Sequence, residues 1–507
     1  MSKEETSKPS LTANELAAGG PIAGDLSLIE SELAIAASHT SPGYYPSLNA
    51  AEIADSARSG FFPAASFTGL FDGPNQVYAW RSEDSYEGLT YMNNRRPGEL
   101  YLVGGDYLPA SGPMPPGPFI AKADATTGKQ IWRTYVDNAN VSGRWIGNAN
   151  LNILDNGNIP FAWSNQIVLI DGDTGGILKH NRLPTGNTTP QDVNFKHLTV
   201  APDRTLILKC QTRPTGEKSQ GTMAIFQGLM KGLKQENSHL VAVDPDSLEV
   251  LDQIPLPEPS SSPHIVTMVD RRIATYVPLN SGMMRCFWNP STKKLSRDET
   301  WVVRPIRPGQ TASTAATLIG EWVAIQTNGA GSDTVASSIV VAHRADASRM
   351  QVIFPFGDLK PGEWSFAPPK AGADPENGML YSADMGVGKV AGIRIVQETG
   401  KLEVAFVVDN ATTTFQPVIG PKDKRVLLLT NAKKNDPAQP MKRVVFSGNY
   451  TEQLTWRDAS TGRILAQSDF FEPLTINSLV APAFGGRCYF PTRKGFITLQ
   501  VMPAKAK

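Results

Sequence analysis

Short apolar segments separated by tight polar turns recur along most of this chain. In the clearest example, PFIAKADATTGKQIWRTYV (118–136), two segments of alternating apolar and polar residues flank a turn at 124–128. This alternation predicts two β-strands. The turn favours a tight hairpin, because Asp124 can accept backbone N–H groups and Gly128 adopts a positive φ at little cost. Related hairpins are centred on Asp171, Asp244, Asn289, Asp346, Glu398 and Asp458.

A second predicted hairpin precedes each of these, and its turn recurs at a nearly constant interval. The turns lie about 55 residues apart on average, at 97–98, 156–157, 203–204, 270–271, 319–320, 377–378, 423–424 and 485–486. Four strands per unit at such a period predict an all-β fold, an eight-bladed β-propeller, with seven blades as the alternative. The last unit is one strand short, and residues 76–81 are expected to supply that strand and close the ring.

The N-terminal region has a different pattern from the repeats. Residues 26–37 and 50–57 can form short amphipathic helices, while the first twenty residues can equally be a disordered tail. We therefore predict a partly helical or disordered arm at 1–75 that lies on the propeller, the propeller itself at 76–502, and a short tail at 503–507.

Charge and composition exclude several classes of function. The 507 residues include 48 basic and 48 acidic side chains, so the chain lacks the basic footprint of a general nucleic-acid-binding protein. Cys210, Cys286 and Cys488 lie far apart without a CxxC or CxxCH motif, which argues against a disulfide framework, a zinc ribbon and covalently attached haem. No apolar run approaches 18 residues and no secretory leader is recognisable, so we expect a cytoplasmic protein with no membrane segment.

The long loops fall on one face of the predicted ring. In each unit the strands A to D run outward from the axis, so the A–B and C–D turns share one face and the B–C and D–A loops share the other. The long B–C loops lie at 104–118, 211–239, 327–337 and 431–441. Variable loops on one face of a rigid ring are typical of a functional face, although tolerated surface insertion gives the same pattern. Within the longest insertion, residues 222–235 have the spacing of an amphipathic helix, which could cover the axial pocket, pack on the ring or bind a partner.

The residues at the start of each strand A should surround the axis on the long-loop face, which we term the axial mouth. Four basic residues are candidates for catalysis: Arg144, Lys196, His197 and His264. The candidates for ligand binding are Trp145, Asn148, Trp364, Phe366, Phe415, Gln416 and Asn477. Aromatic walls with a few convergent polar groups suit a small aromatic or anionic ligand, although a water-filled channel would use the same polar groups. The two histidines fit a structural pair, an acid/base role or a metal site, and no third metal ligand is evident.

The segment AKADATTGKQIW (121–132) resembles the repeat of quinoprotein alcohol dehydrogenase-like propellers, in which an Asp-x-x-Thr-Gly-Lys-x-x-Trp phrase docks neighbouring blades. The segments IDGDTGGIL and RDASTGRIL keep the Asp, Thr and Gly of this phrase. The resemblance implies a propeller in which Trp132 is a structural docking residue. It implies less about chemistry, because the family includes both dehydrogenases that bind pyrroloquinoline quinone and scaffolds without a cofactor.

Departures from the family pattern argue against the quinone. A quinone-dependent member would have two adjacent cysteines over the cofactor and a Glu, Asn and Asp set around calcium, and this chain has no adjacent cysteines. The cofactor therefore remains unknown, with a metal ion still open. Two hypotheses remain: an oxidoreductase, lyase or hydrolase acting on an aromatic or anionic small molecule at the axial mouth, or a non-catalytic scaffold that holds a protein partner.

Overall fold

The structure is a computed structural model. It describes residues 19–105, 117–136, 150–214, 232–304, 306–307, 310–328, 335–366, 370–414, 417–439, 444, 447–473, 479–492 and 494–505. The side chains of residues 313, 314 and 328 are not described.

The described strands form eight small sheets arranged as an eight-bladed propeller, which confirms the predicted fold class. Two strands precede the first complete blade: β1 (Phe61–Phe62) and β2 (Asn75–Arg81). Blade 1 contains β3 (Tyr91–Asn94), β4 (Glu99–Gly104), β5 (Phe119–Asp124) and β6 (Gln130–Tyr135). Blade 2 contains β7 (Ile159–Trp163), β8 (Gln166–Ile170) and β9 (Ile177–Arg182). Blade 3 contains β10 (Val193–Val200), β11 (Leu206–Thr212), β12 (His239–Val243) and β13 (Val250–Pro255).

The remaining blades repeat this order. Blade 4 contains β14 (Ile265–Val269), β15 (Arg272–Pro278), β16 (Met283–Asn289) and β17 (Lys294–Val303). Blade 5 contains β18 (Thr311–Ile319), β19 (Trp322–Asn328), β20 (Ile339–His343) and β21 (Met350–Ile353). Blade 6 contains β22 (Gly372–Asp374), β23 (Met379–Asp384), β24 (Lys389–Ile395) and β25 (Leu402–Asp409). Blade 7 contains β26 (Val418–Ile419), β27 (Val426–Lys434), β28 (Tyr450–Asp458) and β29 (Ile464–Gln467), and blade 8 contains β30 (Ala481–Ala483), β31 (Arg487–Pro491) and β32 (Phe496–Pro503).

An N-terminal strand completes the last blade. Strand β2 pairs antiparallel with β32, from Asn75 opposite Pro503 to Arg81 opposite Ile497. This is the strand expected at 76–81. The pairing covers the backbone groups of β32 that would otherwise form an open sheet edge.

The C–D hairpins form as their sequence indicates. In blade 1 the Asp124 carboxylate accepts hydrogen bonds from the backbone N–H of Thr126 at 3.0 Å and of Thr127 at 2.8 Å. Gly128 then closes the turn at φ +72°. A β-carbon at Gly128 would lie 2.5 Å from the Ser82 side chain, so the position requires glycine for space as well as for backbone conformation.

The N-terminal arm is helical in only one of the two predicted places. A 3₁₀ turn at Leu26–Leu28, capped by the Asp25 side chain, leads into helix α1 (Ile29–His39). The helix predicted at 50–57 does not form, because the backbone of this stretch bonds to the propeller. Ile153 N–H donates to Ala50 O at 2.8 Å, and Val266 N–H donates to Ser56 O at 2.9 Å.

Residues 49–62, which we call the axial segment, lie along the inner strands of the blades. The segment forms hydrogen bonds with each of blades 1 to 7, through residues that include Asn94, Ile153, Val200, Val266, Thr317, Ala373 and Val418. Asn94 and Val200 are the last residues of their strands, so the segment lies towards the tight-turn face. There β1 forms a parallel pair with β26, and the tight-turn end of the axis is therefore filled by chain.

Candidate functional site

Five of the predicted site residues are described, and they fall into two groups. Lys196 and His197 lie on β10, and His264 immediately precedes β14, so these three are on adjacent blades 3 and 4. Trp364 and Phe366 precede β22 in blade 6. The other candidates lie outside the described residues: Arg144, Trp145, Asn148, Phe415, Gln416 and Asn477. Most of the helix predicted at 222–235 also lies outside them.

Arg58 of the axial segment joins the two histidine-bearing blades. Its Nε donates to the backbone oxygen of His264 at 2.9 Å, and its Nη2 donates to the backbone oxygen of Leu198 at 3.1 Å. The side chains of Arg58 and His264 are almost completely buried. The sequence analysis did not identify Arg58. Glu52, Asp55 and Arg58 nevertheless recur at three-residue intervals in a segment of small residues, and this regular charge pattern could have identified the segment.

His264 is held by one ring nitrogen and leaves the other without a described partner. Its Nε2 lies 3.1 Å from the backbone oxygen of Ile207. A carbonyl oxygen only accepts hydrogen bonds, so Nε2 carries the hydrogen and Nδ1 carries the lone pair. No described residue forms a hydrogen bond with the Nδ1 of His264 or with the Nδ1 of His197.

The ionisable groups around these histidines are predominantly basic. Burial lowers the pKa of His197 well below 6.5, and Lys209, Lys196, Arg58 and His264 lower it further. Burial likewise lowers the pKa of His264 well below 6.5, with Arg58 and Lys209 adding to the effect. Both imidazoles are therefore neutral near pH 7.

Lys209 on β11 was not among the predicted residues, but it contributes to the same environment. Its Nζ donates to the backbone oxygens of Ser260 at 2.6 Å and Cys210 at 3.2 Å. Burial lowers its pKa to about 7, and Lys196 and Arg58 act in the same direction. We call Arg58, Lys196, His197, Lys209 and His264 the basic cluster.

Glu52 of the axial segment neutralises part of the positive charge of the basic cluster. Its carboxylate lies 2.7 Å from Arg58 Nη1, and both side chains are buried. A nearby second carboxylate, Asp55, accepts hydrogen bonds from the hydroxyl and backbone N–H of Ser59. Burial raises the pKa of Asp55, while Ser59 and the positive charge of Lys370 oppose the increase.

Trp364 and Phe366 form a separate aromatic pair in blade 6. Their rings are stacked at a centroid distance of 5.5 Å with an interplanar angle of 14°. The buried Asp384 positions this segment, because its carboxylate accepts hydrogen bonds from Phe366 N–H at 2.9 Å and from the Ser365 hydroxyl at 2.6 Å. Blade 5 separates blade 6 from the basic cluster on blades 3 and 4, so the described residues form two groups and not one continuous wall.

The cysteines do not form the adjacent pair expected at a quinone site of the quinoprotein alcohol dehydrogenase-like family. Cys210, Cys286 and Cys488 are free and buried in blades 3, 4 and 8, so no pair is adjacent. No set of three His, Cys, Asp or Glu side chains within the described part of the chain is placed to hold a metal ion.

Comparison with solved structures supports the fold. A quinohemoprotein alcohol dehydrogenase from Pseudomonas putida aligns with a TM-score of 0.50 at 9% sequence identity, over 96% of this chain and 83% of that one. A quinohemoprotein alcohol dehydrogenase from Comamonas testosteroni aligns at 0.49, with 11% identity over 95% of this chain and 83% of that one. BamB from Moraxella catarrhalis aligns at 0.43, with 11% identity over 85% and 98% of the two chains. The alignment with the Pseudomonas putida enzyme shows that the chain has the fold of quinoprotein alcohol dehydrogenase-like propellers.

Sequence comparison adds nothing to the structural likeness. No family model matches the chain, and no curated protein matches it. Within the described residues, no helix is both long enough and apolar enough to cross a membrane.

Proposed function

We propose that the axial mouth binds a small anionic molecule through the basic cluster. The observation that carries this proposal is that Arg58, Lys196 and Lys209 are buried together with His197 and His264 on neighbouring blades. Buried charges in proteins are normally paired, because an isolated charge in a low-dielectric interior is costly. A bound anion would add a favourable charge contact to the basic cluster beside that of Glu52.

The axial segment supports the proposal by closing one end of the axis. Its contacts with Asn94 and Val200 lie at the ends of β3 and β10 that lead into the tight turns. A ligand would therefore enter from the long-loop face, which is where sequence variation between the units is concentrated. Exclusion of water at a site closed at its inner end strengthens each electrostatic contact with the ligand.

An enzymatic role for this site would depend on His264. The lone pair on its Nδ1 can accept a hydrogen bond or a proton from a ligand hydroxyl, since Nε2 already donates to Ile207 O. The low pKa of the imidazole makes it a weak base on its own. A bound anion would raise this pKa, because a nearby negative charge favours the protonated ring. Anion binding and proton uptake would thus be coupled.

Calorimetric titration tests the proposal. Benzoate and phenyl phosphate should bind, whereas benzylamine, an aromatic cation of similar size, should not. Lys196→Met should weaken binding at least tenfold, because it removes a charge from the basic cluster. The matched control is Lys179→Met on β9, an exposed lysine whose removal should leave the affinity unchanged.

The pH dependence supplies a second readout from the same titration. Since a bound anion raises the pKa values of Lys209 and the two histidines, the complex holds more protons than the free protein. Affinity should therefore increase as the pH falls from 8 to 6. Binding that is equal in wild type and Lys196→Met, or no binding of either anion, would reject the axial site and favour the scaffold hypothesis.

A further inference from the structure

Two buried amide side chains of blade 3 have hydrogen-bonding atoms without a described partner. Gln211 on β11 is completely buried, and neither its Oε1 nor its Nε2 forms a hydrogen bond with a described residue. Asn194 on β10 is also completely buried. Its Oδ1 accepts a hydrogen bond from Ser164 N–H at 2.9 Å, whereas its Nδ2 has no described partner. Buried amides in proteins are normally hydrogen-bonded, so a further partner is expected at this place.

Strand pairing places these amides beside the basic cluster. Asn194 lies directly opposite Gln211 in the antiparallel pair of β10 and β11, and His197 lies opposite Lys209. Opposite residues share one side of a sheet, with β-carbons roughly 5 Å apart. Lys209 and Gln211 are two residues apart on the same strand, so they also share a side. One side of blade 3 therefore carries all four side chains.

That side of blade 3 faces blade 4. Lys209 Nζ donates to the backbone oxygen of Ser260, at 2.6 Å, in the segment that leads into blade 4. Ile207, two residues before Lys209, belongs to the same buried apolar cluster as Val266 of blade 4. His264 closes this space from the other blade, because its Nε2 reaches the backbone oxygen of Ile207.

The side chains with unpartnered atoms between these two blades form what we call the polar wall: Asn194, His197, Gln211 and His264. Asn194 is the second residue of β10, and Gln211 is the last but one of β11. Both therefore lie towards the long-loop face, from which a ligand would enter the axial mouth.

The unpartnered atoms include both donors and acceptors of hydrogen bonds. Gln211 Nε2 and Asn194 Nδ2 carry hydrogens, whereas Gln211 Oε1 and the Nδ1 of His264 carry lone pairs. An ionised acid group only accepts hydrogen bonds, so it cannot satisfy the two acceptors. A hydroxyl group both donates and accepts, and several hydroxyls on one ligand would match this mixed set.

We propose that the ligand of the axial mouth is a hydroxylated organic acid. Its acid group pairs with the basic cluster, and its hydroxyl groups form hydrogen bonds with the polar wall. This inference rests on the proposed function, because the basic cluster supplies the charge contact. Benzoate is then a minimal ligand that leaves Gln211 unsatisfied, and the hydroxyl groups determine which acid binds best.

A ligand series on the wild-type protein tests the role of the hydroxyls. Benzoate, gallate and the trifluorobenzoate with fluorine at the same ring positions as the gallate hydroxyls share one ring and one carboxylate. Gallate should bind at least tenfold more tightly than benzoate in calorimetric titration, because only its hydroxyls can donate to the polar wall. Trifluorobenzoate should bind like benzoate. Pyrogallol, which has the hydroxyls but no acid group, should bind at least tenfold more weakly than gallate.

A variant of the polar wall supplies the second measurement. Gln211→Met keeps the side-chain length but removes the donor and the acceptor, so the ratio of gallate to benzoate affinity should fall at least tenfold. Gln253→Met, at an exposed position of β13 in the same blade, is the matched control and should leave the ratio unchanged. The melting temperature of Gln211→Met should not fall, because an unpaired buried amide is replaced by an apolar group of similar shape.

The outcomes separate this inference from the proposed function. Equal binding of gallate and benzoate by wild type, with both lost in Lys196→Met, would overturn the hydroxylated ligand and leave the anion site standing. A gallate preference that persists unchanged in folded Gln211→Met would also overturn the inference. Absence of binding by either acid would reject the anion site and this inference with it. Should Gln211→Met not fold, the wild-type ligand series decides alone.

Discussion

Buried ionisable side chains near the axis have protonation states that differ from those in water. His197 and His264 are 3% and 0% exposed, and burial is the main cause of their lowered pKa values. Lys209 has no exposed surface, and its pKa is about 7. Neutral imidazoles avoid the cost of placing further positive charge beside Arg58 and Lys196.

The histidines should make the stability of the protein depend on pH. An unfolded chain binds a proton at each histidine below about pH 6.5, whereas the buried imidazoles stay neutral until well below that value. The free energy of unfolding should therefore fall as the pH is lowered through 6.5, by up to about 1.4 kcal/mol per pH unit for each histidine. Urea unfolding at pH 7.5, 6.5 and 5.5 measures this slope.

A neutral replacement separates this effect from other titrations. His197→Gln should reduce the slope below pH 6.5 by about one proton, because glutamine does not titrate. His180→Gln, at an exposed residue of β9, is the matched histidine control. If the slope is the same in His197→Gln and wild type, His197 is protonated in the folded protein and the buried-neutral assignment is wrong.

The outer strands hold neighbouring blades together through large aromatic side chains. Trp132 on β6 donates from Nε1 to the backbone oxygen of Asp173 at 3.0 Å, and a β-carbon at Gly175 would lie 2.6 Å from its ring. Trp301 on β17 makes the corresponding bond to His343 O in the next blade, also at 3.0 Å. Docking of an aromatic side chain on the next C–D turn therefore recurs without the full sequence phrase.

Removing the indole side chain of Trp132 should weaken the contact between blades 1 and 2. Trp132 is half-buried, so Trp132→Ala should cost about 2 kcal/mol, less than the 3–5 kcal/mol typical of a fully buried tryptophan. The neighbouring Ile131 is 58% exposed, and Ile131→Ala should change stability by less than about 0.5 kcal/mol. Equilibrium urea unfolding of both variants makes the comparison, and equal losses would show that Trp132 has no docking role.

The propeller as a whole depends on two N-terminal segments, one that pairs with the last blade and one that lies near the axis. Strand β2 completes blade 8, and the axial segment forms hydrogen bonds with blades 1 to 7. Within the axial segment Ile53 and Ala54 have φ values of 60° and 79°, which are strained for residues with side chains. Contacts with the surrounding inner strands hold the segment in this conformation.

Two truncations distinguish these contributions. A chain that starts at residue 75 keeps β2 but loses the axial segment and β1, and we expect its free energy of unfolding to fall by at least about 5 kcal/mol because buried apolar groups and hydrogen bonds are lost together. A chain that starts at residue 82 also exposes the edge of β32 and should aggregate. Differential scanning calorimetry and light scattering measure the two effects. Unchanged melting of the first truncation would show that the axial segment is dispensable.

The sequence determined the repeating architecture because its signals are local. Alternating apolar positions specify strands, and turns such as 124–128 specify hairpins through the bonds of one Asp and the φ of one Gly. The constant interval between hairpins then gave eight blades, which the structure confirms. The placement of His197 and His264 on neighbouring blades also follows from counting along strand A, whereas their burial is known only from the structure.

Tertiary structure decided the features that depend on distant residues. Residues 50–57 have a helical pattern, yet hydrogen bonds to inner strands outweigh it, and local propensity contains no information about those partners. Arg58 belongs to the candidate site because the axial segment, which precedes the repeats in the sequence, lies along the inner strands of the blades. Long-range contacts fix these features, so spacing along the chain alone could not.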